Sequence, residues 1–221
     1  MTTIAFDVYG TLIDPLAIGT ALGEHVGERA PAFAAAWRDR QLEYSFRRGL
    51  MGVYEDFSEC TRRALEHTCR ATGLDLPEDV RGALLARYRA LPAFDDVAPA
   101  LARLRDGGHA MYAFSNGLPS DLDELLAHAG LRDTLDGVVS VHDVRSFKPD
   151  PAVYRHFEAV TGAGADDVWL VSSNPFDVIG ARAVRWRAAW VRRREDAVFD
   201  PWEFAPSVTV ATLDGVVDAL T

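Results

Sequence analysis

Cysteine is nearly absent from this 221-residue sequence: Cys60 and Cys69 stand nine positions apart in a helical stretch. That spacing fits neither a disulfide framework nor a zinc site, and two buried or half-buried thiols in a reducing cytosol are expected. A basic excess is lacking too. The formal net charge is −10, which argues against nucleic acid or an anionic membrane as partner, because nothing is available to neutralise phosphates. The Arg-rich stretch Arg192–Arg194 is local and reads as a solvated loop. No apolar run approaches about 18 uninterrupted residues, so no membrane span is expected. The opening MTTIAFDVYG has no basic segment ahead of a long apolar one, so no secretory signal is expected and the cytoplasm is the expected location.

What the chain does have is an ordinary globular balance, 48% hydrophobic and 25% charged residues. Short apolar runs recur as strands at Thr3–Val8, His109–Phe114, Gly137–Val141, Val168–Val171, Ala188–Val191 and Val208–Val210. Amphipathic stretches lie between them at Val97–Arg105, Pro119–Ala129, Asp150–Val160 and Phe176–Trp186. This alternation predicts an α/β fold, a Rossmann-like parallel sheet core with helices on both faces. From Pro15 to Pro92 no strand pattern is found. Arg29–Arg48 places Phe33, Ala36, Trp37, Leu42 and Phe46 at helical spacing, and Phe57–Leu74 repeats the pattern. The expected organisation is a core of residues 1–14 and 93–221 with an inserted all-helical cap subdomain, 15–92, over the carboxyl ends of the strands, where open α/β sheets bind ligands.

Those strand ends carry polar residues in a suggestive order: Asp7, Thr11, Ser115, Asn116, Lys148, Ser172, Asn174 and Asp177. Each alone has an ordinary explanation. Asp7 with Gly10-Thr11 and Ser115-Asn116-Gly117 are good turn sequences, and Ser172-Ser173-Asn174-Pro175 is a good helix start. Lys148-Pro149 could be a surface loop, since most lysines are solvated. Together they place a carboxylate, an ammonium and hydroxyl donors on one edge.

Phe6-Asp7-Val8-Tyr9-Gly10-Thr11-Leu12, Ser115-Asn116-Gly117, Lys148-Pro149 and a fourth motif ending in Asp177 resemble the haloacid dehalogenase superfamily along nearly the whole chain. The resemblance implies that Asp7 is a nucleophile forming a covalent ester. Phosphatases of the superfamily carry a second Asp two residues after the nucleophile as general acid; here Tyr9 stands there, a poor proton donor at neutral pH. They also hold Mg²⁺ on acidic fourth-motif residues, where this chain has Ser172, Ser173 and Asn174, a poor cage for that ion. Phosphoryl transfer leans on such a cation, whereas a halide departs without a proton. The pattern is similar to the L-2-haloacid dehalogenase subfamily, as is Trp37-Arg38 followed by Gln41-Leu42-Glu43-Tyr44. No metal and no cofactor are then expected, and a short 2-haloacid or haloacetate is the implied substrate.

By that resemblance, Asp7 displaces the halogen and water then attacks its carboxyl carbon, two easier steps in place of one. Arg38 and Asn174 support the departing halide. Lys148 keeps the nucleophile ionised and, with Asp177, positions the hydrolytic water. Ser115 and backbone amides near Tyr9 and Asn116 bind the substrate carboxylate. Thr11, Ser172 and Tyr154 orient Asp7 and Lys148, Tyr154 by reaching back to the lysine. Tyr9, Leu42, Phe57 and Phe176 wall the halogenated carbon, though each is equally explained as core. Asp39 departs from the uncharged amide expected beside the cap arginine. A homodimer is the implied assembly. A Mg²⁺-dependent phosphatase and a catalytically silent binding protein with this fold remain as alternatives.

Overall fold

The computed structural model describes residues 2–220. Among them, β1 (Thr3–Phe6), β2 (Ala110–Ser115), β3 (Gly137–Ser140), β4 (Val168–Ser172), β5 (Arg187–Val191) and β6 (Val208–Val210) form one sheet. Its order is β3-β2-β1-β4-β5-β6, with every neighbouring pair parallel. This is the Rossmann-like arrangement, with order reversing beside β1. Ile4, Ala5 and Phe6 are wholly buried at its centre, the continuous apolar run that a sheet covered on both faces requires.

Between β1 and β2 the chain is helical: α1 (Ile18–Val26), α2 (Ala30–Met51), α3 (Phe57–Thr72) and α4 (Glu78–Arg87). In α3, Asp56 caps the first turn by accepting the Glu59 amide at 2.8 Å. Its buried residues Phe57, Cys60, Thr61, Ala64, Leu65 and Thr68 recur every three or four positions and face α2. Trp37 on α2 answers them, its indole donating to the Thr61 carbonyl at 2.9 Å. Ala36, expected on that apolar face, is exposed instead. The two passes into and out of the helical segment run side by side: the Asp14 amide donates to the Pro92 carbonyl at 3.0 Å and the Phe94 amide to the Leu12 carbonyl at 3.1 Å.

The remaining helices, α5 (Val97–Asp106), α6 (Pro119–His128), α7 (Pro151–Thr161), α8 (Pro175–Ala183) and α9 (Leu213–Leu220), pack around the sheet. Pro119, Pro151 and Pro175 each stand at the first position of a helix, where a missing N–H costs nothing. α8 stops before the expected Trp186, because Arg185 turns to a positive φ of 74° and sends the indole into the core. β1 likewise ends at Phe6 rather than Val8: the Val8 carbonyl accepts the amides of Thr11, Leu12 and Ile13, so the chain curls immediately after Asp7. Cys60 and Cys69 are free and buried. Among the described residues no helix is long and apolar enough to cross a membrane.

Candidate active site

The curl after β1 brings Thr11 back under Asp7. Gly10 has φ +92°, and a side chain there would crowd Ser173 Oγ at 3.2 Å, so both backbone and space demand glycine. Asp7 Oδ2 accepts three bonds, from Thr11 Oγ1 at 2.9 Å, Ser172 Oγ at 3.1 Å and Asn174 Nδ2 at 2.6 Å. Asp7 Oδ1 accepts one, from Lys148 Nζ at 3.3 Å. One oxygen is saturated and locks the carboxylate's orientation; the other keeps lone-pair capacity for a reacting carbon.

Lys148 is 1% exposed and spends its three N–H groups on Asp7, the Phe114 carbonyl at 2.8 Å and Asp177 Oδ2 at 2.7 Å. The ordinary alternative of a surface lysine does not apply: two carboxylates hold it in the interior, in the pairing with Asp177 that the motif implies. Tyr154 does not reach Lys148. Its hydroxyl donates to Asp177 Oδ1 at 2.8 Å, because α7 directs it past the lysine to the start of α8. Burial pushes the Asp177 carboxyl up to about 6, against the pull of the Lys148 charge and with a further push from Asp7. Burial, then the neighbouring Asp177, raises the Tyr154 hydroxyl well above its ordinary range.

Ser115 Oγ accepts the Gly117 amide at 3.2 Å, and Asn116 Oδ1 accepts the Lys148 amide at 3.0 Å. The Asn116 side chain thereby pins the lysine's loop. Ser173, which in sequence is only one more residue of the helix start, ties the fourth motif to the first: its amide donates to Thr11 Oγ1 at 2.8 Å and its hydroxyl to the Gly10 carbonyl.

From the helical segment, Arg38 reaches the same place. Its Nη2 donates to the Tyr9 carbonyl at 3.3 Å and its Nη1 to Gln41 Oε1 at 2.6 Å. Gln41 is fully buried, bonds Thr61 Oγ1, and accepts the Tyr88 hydroxyl at 3.3 Å. A polar residue inside the apolar stripe of α2 was the available signal for this support. Arg38, Leu42 and Asn174 line a cavity of about 500 Å³, along with exposed Asp39. On the opposite side, Tyr9 and Phe57, with ring centroids 5.8 Å apart, line a second cavity of about 290 Å³. Phe176 is half-buried and packs edge-on against Phe46 at 5.0 Å. Burial raises the Tyr9 hydroxyl above its ordinary range, making it a still weaker acid.

The donor set here is not a cation cage. Both oxygens of Asp177 are committed, Asn174 turns its nitrogen toward Asp7, and the Lys148 ammonium stands between the two carboxylates. Among the described residues no three or more His, Cys, Asp or Glu side chains group to hold a metal ion.

The family model of the haloacid dehalogenase-like hydrolases matches residues 1–185. The chain is 38% identical over 215 residues to an (S)-2-haloacid dehalogenase of Pseudomonas sp. (strain YL), covering 97% of this chain and 92% of that one. It is 35% identical over 214 residues to haloacetate dehalogenase H-2 of Moraxella sp. (strain B), covering 97% and 95%. A solved structure of the L-2-haloacid dehalogenase from Xanthobacter autotrophicus, with chloropropionic acid covalently bound, superposes with a TM-score of 0.93 at 33% identity, covering 100% of this chain and 98% of that one.

Proposed function

The chain belongs to the haloacid dehalogenase-like hydrolases, and from that premise we propose that it hydrolyses the carbon–halogen bond of short L-2-haloacids or haloacetates. The observation that carries the reading is the asymmetry of Asp7, with Oδ2 held by three donors and Oδ1 left to react. The relatives named as dehalogenases and the covalent chloropropionate adduct support it.

In this reading Asp7 Oδ1 attacks C2 from behind, the C–halogen bond breaks, and halide leaves with the bonding pair as the ester forms with inversion. No acid is required at position 9. Arg38 offers its remaining N–H groups to the departing anion, and Asn174, whose amide holds Asp7 Oδ2 and the Tyr9 carbonyl, lines the same cavity. Water then adds to the Asp7 carboxyl carbon while Asp177, poised by its raised pKa, takes the proton. As the bond from that carbon to the ester oxygen breaks, that oxygen takes the water's second proton, so the 2-hydroxy acid leaves and Asp7 returns as a carboxylate, while Asp177 passes its proton on to solvent. Ser115 and the amides of Tyr9 and Asn116 hold the substrate carboxylate; Tyr9, Leu42, Phe57 and Phe176 wall the reacting carbon. Thr11, Ser172 and Tyr154 orient the reacting groups.

The reading takes residues 15–92 as a cap on a core of 1–14 and 93–221. It extends to a homodimer, for which exposed Leu50, Met51 and Val53 offer an apolar face, and to a cytoplasmic location, in keeping with two unpaired thiols. The test is one turnover of (S)-2-chloropropionate in ¹⁸O water with chelator present. Label in Asp7 and unlabelled product are expected. Label in the product alone overturns the ester route, and chloride release abolished by chelator overturns the metal-independent dehalogenase reading.

A further inference from the structure

A single guanidinium joins the turn that carries the nucleophile to the segment by which the chain returns from its helical block. Arg193 follows β5 within three consecutive arginines that the sequence reads as a solvated loop. Its neighbours meet that expectation: Arg192 and Arg194 are exposed, and Arg194 pairs with Asp196 beside it. Arg193 does not, since only 14% of its side chain is exposed. Its Nη1 donates to both carboxylate oxygens of Asp96 at 2.7 Å, and its Nη2 donates to the Thr11 carbonyl at 2.6 Å. The Phe94 ring lies 4.2 Å from the guanidinium carbon. Asp96 is itself fixed, accepting the Leu213 amide at 2.7 Å.

Thr11 is therefore held from two sides. Its carbonyl is gripped by a charged, desolvated donor, roughly twice as strong as a neutral one. Its hydroxyl donates to Asp7 Oδ2 at 2.9 Å and accepts the Ser173 amide at 2.8 Å. A rotation of the Thr11 peptide would carry the hydroxyl off the saturated oxygen of Asp7, and the distinction between its two oxygens would weaken. The same guanidinium packs on Phe94, whose amide bonds Leu12 in the same turn.

We propose that Arg193 is a positioning residue for the nucleophile: braced on Asp96, it holds Thr11, and through Thr11 it holds the Asp7 carboxylate in its attacking orientation. The proposal rests on the dehalogenase reading above. It differs from a simple staple between β5 and α5, which would affect how much enzyme is folded but not how fast a folded molecule reacts.

The measurement is chloride release from (S)-2-chloropropionate in a single turnover under saturating enzyme excess, where the rate constant is independent of the folded fraction. Arg193→Gln is expected to lower that rate constant about tenfold or more, as small misplacements of reacting groups do. Arg193→Lys should recover part of the loss, since an ammonium can still bridge Asp96 and the Thr11 carbonyl. Asp96→Asn, which keeps the volume but weakens the brace, should cost about threefold. An Arg193→Gln rate constant within twofold of the parent's overturns the proposal. If that variant does not fold, parental rate constants in both Arg193→Lys and Asp96→Asn overturn it equally. A parent enzyme that releases no chloride would sink the dehalogenase reading and this one with it, whereas a parent as fast as its variants sinks the clamp alone.

Discussion

Lys148 and Asp177 form an ion pair of 2.7 Å in which neither side chain reaches solvent, at 1% and 0% exposure. The same ammonium lies 3.3 Å from Asp7. Two carboxylates thus share one cation, and the closer bond goes to Asp177. Asp7 faces the same charge, but the contact sits at the long end of hydrogen bonding, so its Oδ1 is left uncapped.

The pH dependence follows from Asp177. Its carboxyl, raised by burial to about 6, has to be ionised to accept a proton from water. Steady-state turnover is expected to fall as pH drops through about 6, an acid limb set by protonation of Asp177. Stability moves the other way. The folded carboxyl titrates above its ordinary 3.8, so its contribution is fully present below pH 3.8 and is lost as pH rises through about 6. Urea midpoints should show the stability of the parent relative to Asp177→Asn decreasing from about pH 4 to pH 6, and the residual turnover of Asp177→Asn should lack the limb.

Much of this cluster was legible because a parallel sheet gathers its strand ends at one edge, so Asp7, Ser115 and Ser172 had to be neighbours once their strands were recognised. Asn174 and Asp177 followed from the helix start after β4. What was not legible depended on where long side chains go after the backbone is set. Tyr154 sits close enough in sequence to suggest Lys148, yet the angle of α7 gives it to Asp177. Arg193 reads as solvent-facing because its partners, Asp96 and Thr11, are 97 and 182 positions away. Gln41 was quoted only as part of a motif, whereas its full burial beside Arg38 explains why it is there.

Gly180→Ala is a test of the Tyr154 bond. A Cβ on this α8 residue would overlap the Tyr154 hydroxyl and stand 2.7 Å from Pro149 Cβ. Alanine is the better helix former by about 1 kcal/mol, but overpacking of this kind costs about 1–3 kcal/mol and should win. Denaturant titration is expected to show net destabilisation, with turnover lowered because Tyr154 is pushed off Asp177. Adding Tyr154→Phe to Gly180→Ala should restore part of the stability and none of the turnover.

Asn174→Asp separates the two chemistries of the superfamily. The change removes the N–H donors to Asp7 Oδ2 and to the Tyr9 carbonyl, at 2.6 and 3.1 Å, and sets carboxylate against carboxylate. Like charges at that distance repel, and Asp7 Oδ2 loses one of its three donors. First-turnover chloride release is expected to fall by about 10²-fold, the scale on which one aimed donor matters in an active site. Asn174→Ala, which deletes the donors without adding charge, should fall less. Equal rates for the two would mean that the asparagine's neutrality is irrelevant.

Gln41 offers the sharpest separation of positioning from charge at Arg38. Gln41→Leu keeps the volume but withdraws the acceptor that fixes Arg38 Nη1 and leaves the buried Tyr88 hydroxyl without its bond. An unsatisfied hydroxyl of this kind costs about 1–3 kcal/mol, readable in the denaturation midpoint. Arg38, freed on one side, should support the departing halide less well, so kcat falls. Gln41→Glu instead preserves an acceptor at the same atom while adding a negative charge 2.6 Å from the guanidinium in the parent geometry. Arg38 then stays in place but is less available to an anion, and KM for the haloacid should rise more than in Gln41→Leu. If both substitutions change kcat and KM alike, Gln41 acts only by filling space and does not position Arg38.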